Sequence, residues 1–275
     1  GQYGLPVVVP HGLLNFIEVL QFSHAFYETW YDMLNLGFRI TPTGGSDYPC
    51  GGATTPGKER FYTRVGQDLT YDGWLDAVRQ GRTFVTNGPM LQFRINDKEI
   101  GEEITLQNPG PVILEGSVLF DPNRDDVLRI EVIENGNNVH SFPRTDDSGE
   151  IHFRLEHQIQ GTAWLAVRSS GNKVDEPRHW GLIRSLDTSA AHSAPIYATV
   201  DGDAPLSAHA RAKDVARRWL ARLGDLEARL DEDKITHLAD RLAKFRQDVA
   251  SEDVLRRDRL ALIEEIKTAK RYFEQ

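Results

Sequence analysis

The sequence predicts a mixed α+β chain in three parts. An alternating strand–helix segment spans residues 1–82, an antiparallel β-sandwich spans 83–204, and a charged helical tail spans 205–275. Three observations predict this. Apolar β-prone runs alternate with a helix-spaced aromatic run near the start. Short strand-like runs separated by turn residues fill the middle. Leucine and valine stripes at helical spacing run through a charge-dense final part.

In the first part, LNFIEVLQF (14–22) reads as a buried strand. In HAFYETWYDMLNLG, Tyr27, Trp30, Tyr31 and Leu34 recur at helical spacing, and Gly37 suits a helix C-terminus. FRITPT then reads as a short strand running into the glycine pair of TPTGGSDYPCGG (41–52), where Asp47 is the lone acid. TYDGWLDAVRQG reads as a second helix, with Thr70 as N-cap, Asp72 in the first turn, and Gly81 at the end.

The middle part predicts strands near 83–86, 90–95, 111–119, 127–133, 138–142, 151–155, 162–168 and 194–199. Asn135-Gly136 is a strong hairpin signal. Residues 171–193 form a long connection. In the tail, the stripes are Val215, Trp219, Leu223 and Leu226, then Leu238, Leu242, Phe245 and Val249, then Leu255, Leu262, Ile263, Ile266 and Phe273. Ser207 and Ser251 are the candidate N-caps, and residues 230–234 the turn. The expected arrangement is a small bundle, because short helices need tertiary burial.

Composition sets limits. At 275 residues the chain can hold two domains or one large one, and 40% hydrophobic with 27% charged residues is ordinary for a soluble protein. A net charge of −9 argues against general nucleic-acid binding. The single cysteine, Cys50, rules out an internal disulfide. No apolar run reaches the roughly 18 residues of a membrane span. The sequence opens on Gly1 without a methionine, which a cut inside a longer protein would explain, as would the scar of a removed tag.

Asp47 is the first candidate for chemistry. A carboxylate on a glycine-rich loop at the end of a strand suits a divalent cation; it also suits a turn in which Asp bonds its own backbone. His24 follows the first strand and is a candidate metal ligand or general acid/base. Glu18, inside that strand, is read as structural, with Arg39 a possible partner. His11 is read as a surface-loop residue. Asn87-Gly88-Pro89 is read as a tight turn. Arg60 and Arg64 are candidates for an anionic substrate or for ion pairs. His179 and His192 border the long connection, facing either a cleft or solvent. Trp164, Trp180 and Tyr197 are read as core rather than as a carbohydrate platform. HxH, HExxH, CxxC, GxSxG, P-loop and GxGxxG patterns are absent from these residues.

Three stretches, WYDMLNLGFRITPTGGSDYP (30–49), WLDAVRQGRTFVTNGPML (74–91) and AHSAPIYATVDG (191–202), together resemble the C-terminal half of CehA/McbA-type metallohydrolases of the PHP superfamily. The resemblance runs across most of the chain, and GRTFVTNGP is its most specific piece. It implies that residues 1–82 are the C-terminal part of a PHP-type α/β barrel. It further implies a hydrolase in which metal-activated water attacks an ester, carbamate or phosphoester. The divalent metal would be zinc, manganese or iron. Asp47 maps onto the family's late metal-ligating aspartate, and His24 falls near a histidine that precedes the helix. Two departures stand out. Pro49 occupies the position of a histidine found in many members, and the family's HxH motif is not in this chain.

The resemblance therefore implies a chain inactive on its own. It would need a small-molecule substrate, and the missing N-terminal barrel part or a second copy of the chain to complete it. It implies no nucleic-acid partner and no membrane span; a secreted or periplasmic full-length protein is compatible. The alternative from a different class is a non-catalytic β-sandwich binding or interaction module.

Overall fold

The computed structural model describes residues 4–21, 24–49, 55–171, 189–239 and 252–274, with the backbone alone described at His24. The chain divides into two compact units. One contains residues 1–14 and 210–275, the other residues 15–209.

The larger unit begins with β1 (Phe16–Gln21), β2 (His24–Ala25), α2 (Tyr27–Asn35) and β3 (Thr41–Gly45). The strand order is β2-β1-β3, with β1 and β3 parallel and β2 antiparallel to β1. Among the described residues these strands form an open three-stranded sheet, and no barrel closes. β1 buries only Val19 and Leu20 fully, so it is less enclosed than its apolar run predicts. Helix α2 ends as its glycine dictates. Gly37 takes φ +90°, its N–H donates to the Leu34 carbonyl, and the Phe38 N–H donates to that of Met33. Helix α3 (Tyr71–Arg79) starts with the Gly73 N–H donating to Thr70 Oγ1 at 3.1 Å. It ends with Gly81 at φ +70°, Gly81 N–H to Val78 O and Arg82 N–H to Ala77 O.

Two larger sheets follow. The eight-stranded one runs β11 (Asn137–Pro143), β10 (Arg129–Glu134), β13 (Ala163–Ser170), β14 (Ala190–Ser193), β5 (Thr83–Thr86), β4 (Arg60–Thr63). Its remaining strands are β15 (Ile196–Val200), which pairs with β13, and β8 (Glu103–Leu106), which pairs with β15. The four-stranded sheet runs β12 (Glu150–Ile159), β9 (Gly110–Leu119), β6 (Met90–Ile95), β7 (Lys98–Glu99). The expected boundary at 82/83 falls between β4 and β5, which are hydrogen-bonded neighbours. The predicted final strand, 194–199, is β15, which begins only at Ile196 because Pro195 offers no ladder N–H, and β14 falls at the end of the stretch 171–193 expected to be a connection. Asn135 and Gly136 both take positive φ, 49° and 84°, as a type I′ hairpin requires.

Alternation in β6 buries Leu91, Phe93 and Ile95 on one face. These join Val112, Leu114 and Val118 of β9 and Ile130, Val132, Leu165 and Val167 of β10 and β13 in one hydrophobic cluster between the two sheets. β13 is buried on both faces. Leu165 and Val167 enter that cluster, while Trp164 packs on α2, its ring 5.1 Å from that of Tyr31.

The smaller unit holds α1 (Leu5–Val8), α4 (Ala210–Arg229) and α5 (Glu252–Phe273). Val215, Trp219 and Leu223 of α4 are buried, as are Leu255, Ile266 and Phe273 of α5; Leu262 is exposed. Trp219 meets Phe273 edge to face at 5.4 Å. Ser207 sits in a 3-10 turn ahead of α4, and a second such turn covers 232–234. The readings at Cys50, His179, Trp180, Leu242, Phe245, Val249 and Ser251 lie outside the described residues. Among the described residues, no helix is long and apolar enough to cross a membrane.

Candidate functional site

The carboxyl ends of β1 and β3 gather the sequence candidates. Gln21 of β1 pairs with Gly45 of β3 on one side and with His24 of β2 on the other. Neighbouring strands lie about 4.8 Å apart, so the backbones at His24 and Gly45 stand roughly 10 Å apart across Gln21. Asp47 lies two residues beyond Gly45 and holds the left-handed conformation at φ 53°, which Asp tolerates better than most residues.

Both glycines ahead of Asp47 have tertiary reasons. A Cβ at Gly44 would meet the Arg60 carbonyl oxygen at 2.9 Å, so β3 lies against the β4 backbone there. A Cβ at Gly45 would collide with Oε1 of Glu18, so the Glu18 carboxyl lies over that glycine. Glu18 and Asp47 are near enough to sense each other. Partial burial, and then the charge of Asp47, raise the Glu18 carboxyl above the usual carboxylate range. The β1–β3 end thus presents two hard oxygen donors whose like charges a cation would relieve. Such a pair fits a divalent metal that prefers oxygen ligands, though not a complete ligand set. Among the described residues no group of three or more His, Cys, Asp or Glu side chains converges to hold a metal ion.

Sequence reasoning set Glu18 aside as structural and offered Arg39 as its partner. The structure gives Arg39 to Glu103 instead, at 2.7 Å, with its guanidinium 4.3 Å above the Tyr197 ring. A glutamate two strand positions before a paired glycine was the available signal. Its meaning depends on the β1–β3 register, which spacing along the chain does not reveal.

No family model, curated protein or solved structure matches the chain.

The other candidates resolve into structural roles. His192 faces neither a cleft nor solvent but is fully buried. Its Nδ1 lies 2.8 Å from the Ser193 carbonyl oxygen, which only accepts, so Nδ1 carries the proton. Nε2 then accepts from the Tyr31 hydroxyl at 2.5 Å. Burial, aided by the Arg168 charge and partly offset by the Ser193 bond, lowers the His192 pKa to about 3. Burial likewise pushes the Tyr31 hydroxyl well above its ordinary value. Arg168 donates to Glu131 at 2.6 Å, and Arg129 donates to the same carboxylate at 2.8 Å. Burial alone would raise the Glu131 pKa; these bonds hold it below the usual range. Trp164 is core, as expected, and donates from Nε1 to Asn35 Oδ1 at 2.9 Å.

Asn87-Gly88-Pro89 is a turn with a wider duty. Asn87 Oδ1 accepts from the Ala190 N–H at 2.7 Å, and Thr86 Oγ1 donates to the Pro89 carbonyl at 2.6 Å. Gly88 is needed because a Cβ there would sit 2.6 Å from Oδ1 of Asp125, which accepts from Ser189 Oγ at 2.9 Å. Arg60 donates to the Gly57 and Lys58 carbonyls, and Arg64 pairs with Glu99, so both are internally engaged. His11 pairs with Glu265 within the helical unit, at 2.6 Å.

Proposed function

We propose that the chain is the C-terminal part of a PHP-type metal-dependent hydrolase, with Asp47 a metal-ligating carboxylate and His24 a second ligand or proton carrier. The observation that carries this reading is the approach of Asp47 and the Glu18 carboxyl at the end of two parallel strands, where the His24 backbone also lies, one strand further across the sheet. Ligand sites in open α/β sheets favour such carboxyl ends. The two large sheets around one core are read here as a β-sandwich appended to the barrel segment, and α4 and α5 as its helical tail.

The chain's own residues have separable tasks. Asp47, held by a left-handed backbone, presents a hard anionic donor. Glu18, raised by burial and by the charge of Asp47, is a second oxygen donor beside it whose charge a bound cation would relieve. Gly45 leaves room for that carboxyl. When bound, the divalent metal supplies Lewis-acid activation of water toward an ester, carbamate or phosphoester.

The test is hydrolytic activity of the protein as expressed from its gene, assayed on ester, carbamate and phosphoester panels with zinc, manganese or iron(II). Asp47→Ala is expected to lower kcat/KM at least about a hundredfold, as loss of a metal ligand does. Turnover unchanged by that substitution would refute the reading.

A further inference from the structure

A second cavity, of about 350 Å3, lies on the larger unit and shares no residue with the Glu18–Asp47 end. Its volume is in the range of small-molecule sites. One wall is an aromatic step: Tyr62 of β4 stacks on Phe84 of β5, with ring centroids 5.2 Å apart and planes within 17°. Met90 and Leu119 flank it, and both are exposed, as is Tyr62.

The charged groups there are predominantly positive. Arg64, Arg82 and Arg94 line the cavity against one carboxylate, Glu99, so three positive charges less one negative leave an excess of two. Arg64 and Arg94 both pair with Glu99, and Glu102 approaches Arg64 only to 4.0 Å. Arg82 is half-buried and finds no side-chain partner among the described residues. A partly desolvated cation left unpaired is costly unless a ligand completes it.

We infer that this groove binds a small aromatic carboxylate. Its ring lies against the Tyr62–Phe84 step between Met90 and Leu119, and its carboxylate is held by Arg82. The ring recognises apolar planar surface; the guanidinium fork matches a carboxylate. A neutral aromatic would leave Arg82 unsatisfied, and an aliphatic acid would lose the stacking.

The experiment is isothermal titration of the full chain with 2-naphthoate and with the uncharged 2-naphthalenemethanol. Wild type is expected to bind the acid saturably at millimolar concentration or below, and the alcohol at least about tenfold more weakly. Arg82→Gln should bring the acid down to the level of the alcohol, with an unchanged circular dichroism spectrum. Arg79→Gln alters the neighbouring 280 Å3 cavity, which Arg82 also lines, and should leave the affinity as it is. Should Arg82→Gln not fold, Tyr62→Ala at the edge strand serves in its place, with an expected loss of several-fold. The inference is overturned by no saturable binding of the acid, by equal affinity for acid and alcohol, by undiminished binding in Arg82→Gln or Tyr62→Ala, or by an equal loss in Arg79→Gln.

Discussion

The two sides of the β1–α2–β3 unit handle polar groups in opposite ways. On the α2 side, Tyr31, His192, Arg168 and Glu131 form a chain of hydrogen bonds in which each member has a partner, with Tyr31, His192 and Glu131 buried and Arg168 mostly so. At the strand ends, Glu18 and Asp47 are left partly in solvent with like charges facing each other. A satisfied buried network rigidifies and specifies a core. A pair of repelling carboxylates does neither, which is why the second place, and not the histidine-bearing first, is the candidate for chemistry.

Substitutions should separate the two sides by size of effect. Trp164→Ala removes a fully buried indole and its bond to Asn35, and should destabilise the chain by about 3–5 kcal/mol in urea unfolding. A loss under about 1 kcal/mol would mean that α2 does not rest on β13 as described. Gly44→Ala is next. Its new methyl meets a backbone oxygen that cannot step aside, and the expected cost is about 1–3 kcal/mol, read as a lower unfolding midpoint.

Acid sensitivity should follow from His192. Its folded-state pKa lies below its unfolded value near 6.5, so the unfolded chain binds the proton first. The stability it contributes is complete above about pH 6.5 and is lost as pH falls from there toward about 3. Unfolding free energy measured across that window should fall with acid, and less steeply in His192→Gln. Glu18 has the opposite sign. Its folded pKa is raised, so the charged form costs stability above the ordinary glutamate range. Glu18→Gln should therefore raise the melting temperature slightly in metal-free buffer at neutral pH, an effect below about 1 kcal/mol because the group is solvated. A lower melting temperature would mean that Glu18 is held by a partner of opposite charge.

Much of the local structure was legible in the sequence because local chemistry decides it. Gly37 and Gly81 terminate their helices, Thr70 caps α3, and Asn135-Gly136 turns the hairpin; each depends on neighbours a few residues away. What escaped is long-range. β4 and β8 are short strands recognisable only by the partners they find in β5 and β15. His192 is buried through a bond to Tyr31, 161 positions away. Arg39, just ahead of β3, chooses Glu103, 64 positions off, over Glu18 of the adjacent strand β1. The acid on the glycine loop was visible at once, but its carboxylate neighbour became so only when the β1–β3 register placed Glu18 over Gly45.

The central claim is that Glu18 and Asp47 form one cation-seeking end. Titration calorimetry of metal-stripped protein with manganese(II) tests it most directly. Saturable binding is expected, weakened at least about tenfold by Asp47→Ala and by a smaller factor in Glu18→Gln. Affinity identical in wild type and Asp47→Ala would contradict it.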